Sequence, residues 1–145
     1  MRLQQFQIQL VEKTRRHLPR ALKDFEPRAF FTLVKVFYRQ PKLHYEVWVR
    51  GKDRLIEVGL HLEADPATND ALLAYFESRA VEIHAALGAR VEIERWTHTW
   101  CRVHEIVPYE TLDTALAETV AKKLTRMITI LQPMLEATDE YARGH

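Results

Sequence analysis

LHYEVWVRGKDRLIEVGLHL, residues Leu43–Leu62, alternates cleanly enough to fix its own pairing. Leu43, Tyr45, Val47 and Val49 point one way; His44, Glu46, Trp48 and Arg50 point the other. That is the period-two pattern of a strand with one buried face. After Gly51-Lys52-Asp53-Arg54 the apolar set resumes at Ile56, Val58, Leu60 and Leu62. Only one antiparallel register keeps both apolar sets together, because a one-residue slip turns one strand's set to the wrong side. It sets Val49 opposite Ile56, Val47 opposite Val58, Tyr45 opposite Leu60 and Leu43 opposite Leu62. The second face then carries Trp48 opposite Glu57, Glu46 opposite Gly59 and His44 opposite His61.

Upstream of this hairpin, Leu3, Phe6, Leu10, Val11, Thr14 and Leu18 form one stripe, which predicts a helix over 2–23. Pro19 should end or kink it near His17. Phe30–Tyr38 is rich in β-branched and aromatic residues and reads as a strand. Its apolar residues do not alternate, so both of its faces are expected to be covered, one by a partner. Gln40-Pro41-Lys42 is a turn. Downstream, Asp65 is placed as an N-cap with Pro66 at the first helical position. Leu72, Phe76, Ala80, Ile83 and Leu87 line one helix, which Gly88 closes. Val91 and Ile93, then Cys101 and Val103, point inward, so residues 90–107 form two strands with a turn near Thr97–Thr99, or one long bulged strand. Thr111 caps a last helix with Leu112, Leu116, Val120, Leu124, Met127, Leu131 and Leu135 inside. Pro133 should kink or restart it, and the tail after Thr138 should fray. The order is helix, three strands, helix, two strands, helix. Short turns make the sheet antiparallel: an α+β fold of about five strands with helices on one face, in a single domain over residues 1–145.

Composition narrows the function classes. Aromatic residues make up 10% of the 145, too many for a disordered tail. One cysteine, Cys101, excludes an internal disulfide and any multi-cysteine zinc site. The glutamine-broken start, Met1-Arg2-Leu3-Gln4-Gln5-Phe6-Gln7, lacks the apolar core of a signal peptide, and no stretch approaches the roughly 20 apolar residues of a membrane span. A cytoplasmic protein with no membrane contact is expected. The net charge of +1 hides a partition: 13 basic against 5 acidic residues through Arg54, and 8 against 15 after it. Arg15, Arg16, Arg20, Lys35, Arg39 and Lys42 carry much of the basic excess and are the candidate contacts to nucleic acid. Mixing of the charges on the folded surface is the plainer account.

Three constellations hold potential chemistry. His44 and His61, directly opposed, have Cβ atoms roughly 5 Å apart, within reach of one metal ion. Glu46 and Glu57 share their face, and His98 or His104 could join from a neighbouring strand. Ordinary surface histidines are the commoner outcome, and the sequence by itself implies no cofactor. Trp48 stands on a polar face beside Arg50; with Trp96 and Trp100 it marks an expected interface. Cys101 points inward while His98 and His104 point away, which argues against a thiol–imidazole pair. No phosphate loop, nucleophile elbow or zinc signature occurs.

Two resemblances follow from these features. A helix closing at Leu87-Gly88, then Glu92-Ile93-Glu94-Arg95-Trp96, a strand containing Arg102 and a final helix with Pro133 resemble a small bacterial domain of unknown function. That domain is found in restriction-endonuclease-associated proteins, and the likeness spans about residues 60–135. It implies a fold and a context but no catalytic residues. The Asp…Glu-x-Lys pattern of a nuclease centre is missing: Glu57 is followed by Val58-Gly59, and Glu92 by Ile93-Glu94. The element order is also similar to that of type III secretion chaperones, which implies dimerisation and binding of extended polypeptide. Those chaperones are typically acidic, and the basic first half departs from them. The expected function is therefore a non-enzymatic, homodimeric protein-interaction module using His44, Trp48, Arg50, His61, Trp96 and Trp100. A nucleic-acid accessory domain and a metal-dependent enzyme at His44 and His61 are the alternatives.

Overall fold

In the computed structural model, which describes residues 1–143, the hairpin pairs in the register its letters require, Leu43 with Leu62 through Val49 with Ile56. Around it the elements run α1 (Leu3–His17), a 3-10 turn (Arg20–Leu22), β1 (Glu26–Phe30), β2 (Leu33–Phe37), β3 (Leu43–Arg50) and β4 (Leu55–Leu62). Then follow α2 (Pro66–Ser78), α3 (Ala80–Leu87), β5 (Glu92–Arg95), β6 (Cys101–Pro108), α4 (Thr114–Glu136) and α5 (Asp139–Arg143). The strands form one six-stranded antiparallel sheet in the order β1-β2-β3-β4-β6-β5. The fold is α+β with helices packed on the sheet.

One face of the sheet builds the core. Tyr45, Val47, Ile56, Val58, Leu60, Cys101 and Val103 are buried there, and the helices add Phe6, Leu10, Leu72, Phe76, Ile83, Leu124, Ile128 and Leu135 to the same cluster. Burying a side chain of this size contributes roughly 1.5–3 kcal/mol, so this face is what holds the layers together. α4 carries most of the helical side and lies against α1 and β4. Among the described residues no helix is long and apolar enough to cross a membrane.

Four local expectations are corrected. Phe30–Tyr38 is not one strand. The chain turns at Phe31-Thr32, and Glu26–Phe30 folds back along Leu33–Phe37 as a hairpin, giving a sixth strand. Pro27 masked β1; an edge strand tolerates proline because it needs no second hydrogen-bonded neighbour. The helix after Asp65 breaks at Arg79, where the backbone takes φ −106°, ψ 15°. The Ser78 hydroxyl donates to the Tyr75 carbonyl (2.6 Å) and Arg79 N–H to the Phe76 carbonyl (3.0 Å), so local bonds replace the α-helical ladder. Asp113, not Thr111, caps α4, its carboxylate accepting from Leu116 N–H at 2.8 Å. Finally, α4 runs through Pro133 to Glu136, and the chain after Thr138 forms α5, whose Tyr141 is buried; residues 144–145 lie outside the described residues. The strand alternatives over 90–107 resolve to the pair β5 and β6, closed by Trp96 N–H and Thr97 N–H donating to the Trp100 carbonyl.

Candidate functional site

The second face of the sheet carries charge where the first carries hydrocarbon. Strand alternation aims His44 and Glu46 from β3, Glu57 and His61 from β4, and Arg102 and His104 from β6 to this side, each no more than 9% exposed. The charged side chains of this face pair with one another. Two linked clusters result.

The first joins His44, Glu46, His61 and Glu63. The imidazoles stack with centroids 5.7 Å apart and planes within 11°. His44 Nδ1 lies 2.9 Å from the Pro41 carbonyl, and its Nε2 faces Glu46 Oε1 (3.1 Å) and Glu63 Oε2 (3.7 Å). His61 Nε2 lies 3.4 Å from Glu46 Oε2 and its Nδ1 3.1 Å from Glu63 Oε2. Burial pushes the Glu46 carboxyl up, but the hydrogen bond with His44 and the charges of His61, His44 and Lys35 outweigh it and hold the group below its ordinary range.

The second cluster is an ion network. Glu57 receives Arg102 Nη1 at 2.8 Å and Arg50 Nη1 at 3.0 Å, one on each carboxylate oxygen. Glu94 on β5 accepts from Arg102 Nε (3.1 Å) and lies 2.7 Å from His104 Nε2. Burial, seconded by the Arg102 charge, pushes His104 below its ordinary value of 6.5, so at neutral pH the ring is neutral and donates Nε2–H to Glu94. Its buried Nδ1 has no hydrogen-bond partner among the described residues and sits 3.9 Å from Glu57.

The predicted residues fall at different places on this surface. His44 and His61 lie together, with the Trp96 ring edge-on to His61 at 4.9 Å and the Arg102 guanidinium over Trp96 at 4.7 Å. Trp48 is half-buried in another row with Arg50 stacked on it; Trp100 stands at the rim. Of the basic set, Arg15 donates to the Lys23 and Phe25 carbonyls and covers the Phe25 ring, Lys35 lies over Phe30, and Arg39 over Tyr141. Arg16, Arg20 and Lys42 are exposed. Cys101 is buried in the core, its thiol pushed up by that burial. Glu63 escaped sequence reasoning because it lies one residue past β4; its parity with His61 was the available signal.

A third feature had no sequence signal. The core face continues onto β1, where Pro27 and Ala29 pair with buried Val36 and Val34. The helical layer stops short of them, and every residue of β1 is exposed. The result is an apolar groove of about 630 Å³ between α1 and β1, lined by Leu3, Ile8, Val11, Pro27, Ala29 and Phe31 among others. Phe31 is 90% exposed and Ile8 54%. Phe31 holds φ +50°, with buried Gln7 donating to its carbonyl at 2.8 Å.

By fold and surface this is an open-faced α+β sandwich: helices on one side, a histidine–carboxylate layer on the other, and an unfinished apolar edge. No family model, curated protein or solved structure matches the chain.

Proposed function

We propose that the chain is a non-enzymatic interaction module that pairs with a second copy of itself through the α1–β1 groove. One observation carries the reading: Phe31 projects into solvent from a left-handed backbone. That conformation costs a bulky L-residue about 1–2 kcal/mol, and an exposed ring returns nothing to the monomer. A ring so held at the rim of an apolar groove forms a self-complementary pair of knob and socket. A two-fold axis then lets each copy's Phe31 enter the other's groove, the isologous arrangement of most dimers. Strand-to-strand addition at β1 is disfavoured, because Pro27 lacks an N–H and Glu26 and Arg28 place charge on the edge. Dimerisation is also what the resemblance to type III secretion chaperones implies.

Sedimentation equilibrium of the full chain tests this. Wild type should run as a dimer, while Phe31→Asp and Ile8→Asp should run as monomers with an unchanged circular dichroism spectrum. A monomer at the highest soluble concentration, or a dimer indifferent to both substitutions, overturns the proposal. Salt-sensitive retention of a monomer on nucleic acid would instead favour the basic residues Arg16, Arg20 and Lys42 as the working surface.

A further inference from the structure

We propose that His44, Glu46, His61 and Glu63 form a binding site for one divalent transition-metal ion, with zinc as the best fit. The four groups reach one point from two strands. His44 and Glu46 are two apart on β3; His61 lies on β4, and Glu63 follows two residues later. Because the strands are antiparallel, Glu46 flanks the stacked histidines on one side and Glu63 on the other.

Size is the first argument. Tetrahedral ligands at zinc bond lengths of about 2.0–2.1 Å stand about 3.3 Å from one another. With one ligand atom taken from each residue, all four lie within 4.8 Å of one another, and His44 Nε2 stands 3.1 Å from Glu46 Oε1 and 3.7 Å from Glu63 Oε2. Holding an ion would draw the widest pairs in from as much as 4.8 Å toward that spacing.

Proton placement is the second. His44 Nδ1 faces the Pro41 carbonyl, an acceptor only, and so carries hydrogen. A backbone carbonyl on the far nitrogen is the usual way a ligand histidine is oriented. It aims Nε2 at two carboxylate oxygens, the position from which it would coordinate an ion held between them. Both nitrogens of His61 face carboxylate oxygens, so either can coordinate an ion while the other donates to a carboxylate.

Charge and solvation are the third. Two carboxylates, Glu46 and Glu63, meet two stacked rings whose centroids lie 5.7 Å apart and whose side chains are no more than 4% exposed. One dication balances two carboxylates in a layer closed to water. Two imidazoles and two carboxylates suit zinc and its first-row neighbours; magnesium and calcium prefer all-oxygen shells. Four protein ligands in a closed layer leave no open position for substrate, so the ion would clamp the ends of β3 and β4 and not act as a catalyst.

The test is titration of chelator-treated full-length protein with Zn²⁺, and with Co²⁺ as a spectroscopic probe. One ion per chain should bind, Co²⁺ should give the visible bands of a tetrahedral site, and zinc should raise the melting temperature. His61→Ala and the near-isosteric Glu63→Gln should each weaken binding at least about tenfold. His98→Ala, an exposed histidine outside the cluster, should leave binding unchanged. Glu63→Gln keeps the side-chain volume, so it reads the site even if His61→Ala fails to fold. Absence of one-to-one binding by folded wild type, or binding untouched by Glu63→Gln, overturns the proposal.

Discussion

Gly59 stands in the middle of β4 because β6 passes too close for a side chain. A Cβ there would fall 2.4 Å from His104 Cβ and 2.6 Å from the Val103 carbonyl oxygen, and backbone cannot swing aside. Gly59→Ala should therefore cost about 1–3 kcal/mol or more, read as a lower denaturant midpoint; an unchanged midpoint would mean that the strands separate freely. The β3–β4 turn shows the opposite economy. Gly51 looks like its pivot, yet Arg54 is the residue that takes positive φ, at 52°. Arg54→Asn, which tolerates that region, should stabilise by about 0.5–1 kcal/mol despite losing an exposed hydrogen bond to the Glu110 carbonyl. His104 sets a pH dependence whose sign is fixed by its depressed value. Above pH 6.5 the ring is neutral folded or unfolded, and its contribution is complete. As pH falls below that value the unfolded chain takes up the proton first, and stability declines until the folded ring also titrates. Glu94, held below its ordinary range against the push of burial by bonds from His104 and Arg102, adds a second loss further into acid. His104→Gln, which keeps a donor and cannot titrate, should abolish the first decline in urea melts between neutral and mildly acidic pH and leave the second.

At the scale of elements, legibility followed the number of independent constraints. The β3–β4 register was readable because eight apolar residues had to share one face, and His44 opposite His61 came with it. β1 was not, since Pro27 hides the strand and nothing in Phe30-Phe31-Thr32 announces a turn. The break at Arg79 depends on a serine hydroxyl competing for a carbonyl, which no periodicity encodes. The Arg102–Glu57 bond was illegible for a different reason: it requires β6 to lie beside β4, a choice of strand order that local patterns leave open. Pro133 shows propensity overridden by packing. It lacks the N–H that would bond the exposed Thr129 carbonyl, yet Leu131, Met134 and Leu135 bury around it and carry the helix through. Pro133→Ala should restore that bond and raise stability by about 1–3 kcal/mol in equilibrium denaturation. No gain would show that water already satisfies Thr129.

Across the whole molecule, the two faces of the sheet are closed by different physics, and its two ends are not equivalent. Helices seal β2, β3, β4 and β6 on one side, and the ion layer seals β3, β4 and β6 on the other. β5 is a short edge strand partly sheltered by α2, while β1 is an edge exposed along its whole length. Local opening free energies should follow that gradient, because amides open most easily where few buried contacts resist. Hydrogen exchange in the monomeric Phe31→Asp variant should thus be slowest in β4, faster in β5 and fastest in β1. If the α1–β1 groove is the surface that pairs, wild-type protein should depart from this order as concentration rises: β1 and the first turns of α1 slow while β5 keeps its rate. Protection that grows instead on β5 and β6 would place the contact on the Trp96–Trp100 rim. Zinc provides the orthogonal perturbation, since a clamp at the ends of β3 and β4 should slow Leu43–Tyr45 and His61–Glu63 at every protein concentration. The two responses separate cleanly, because one depends on protein concentration and the other on the metal.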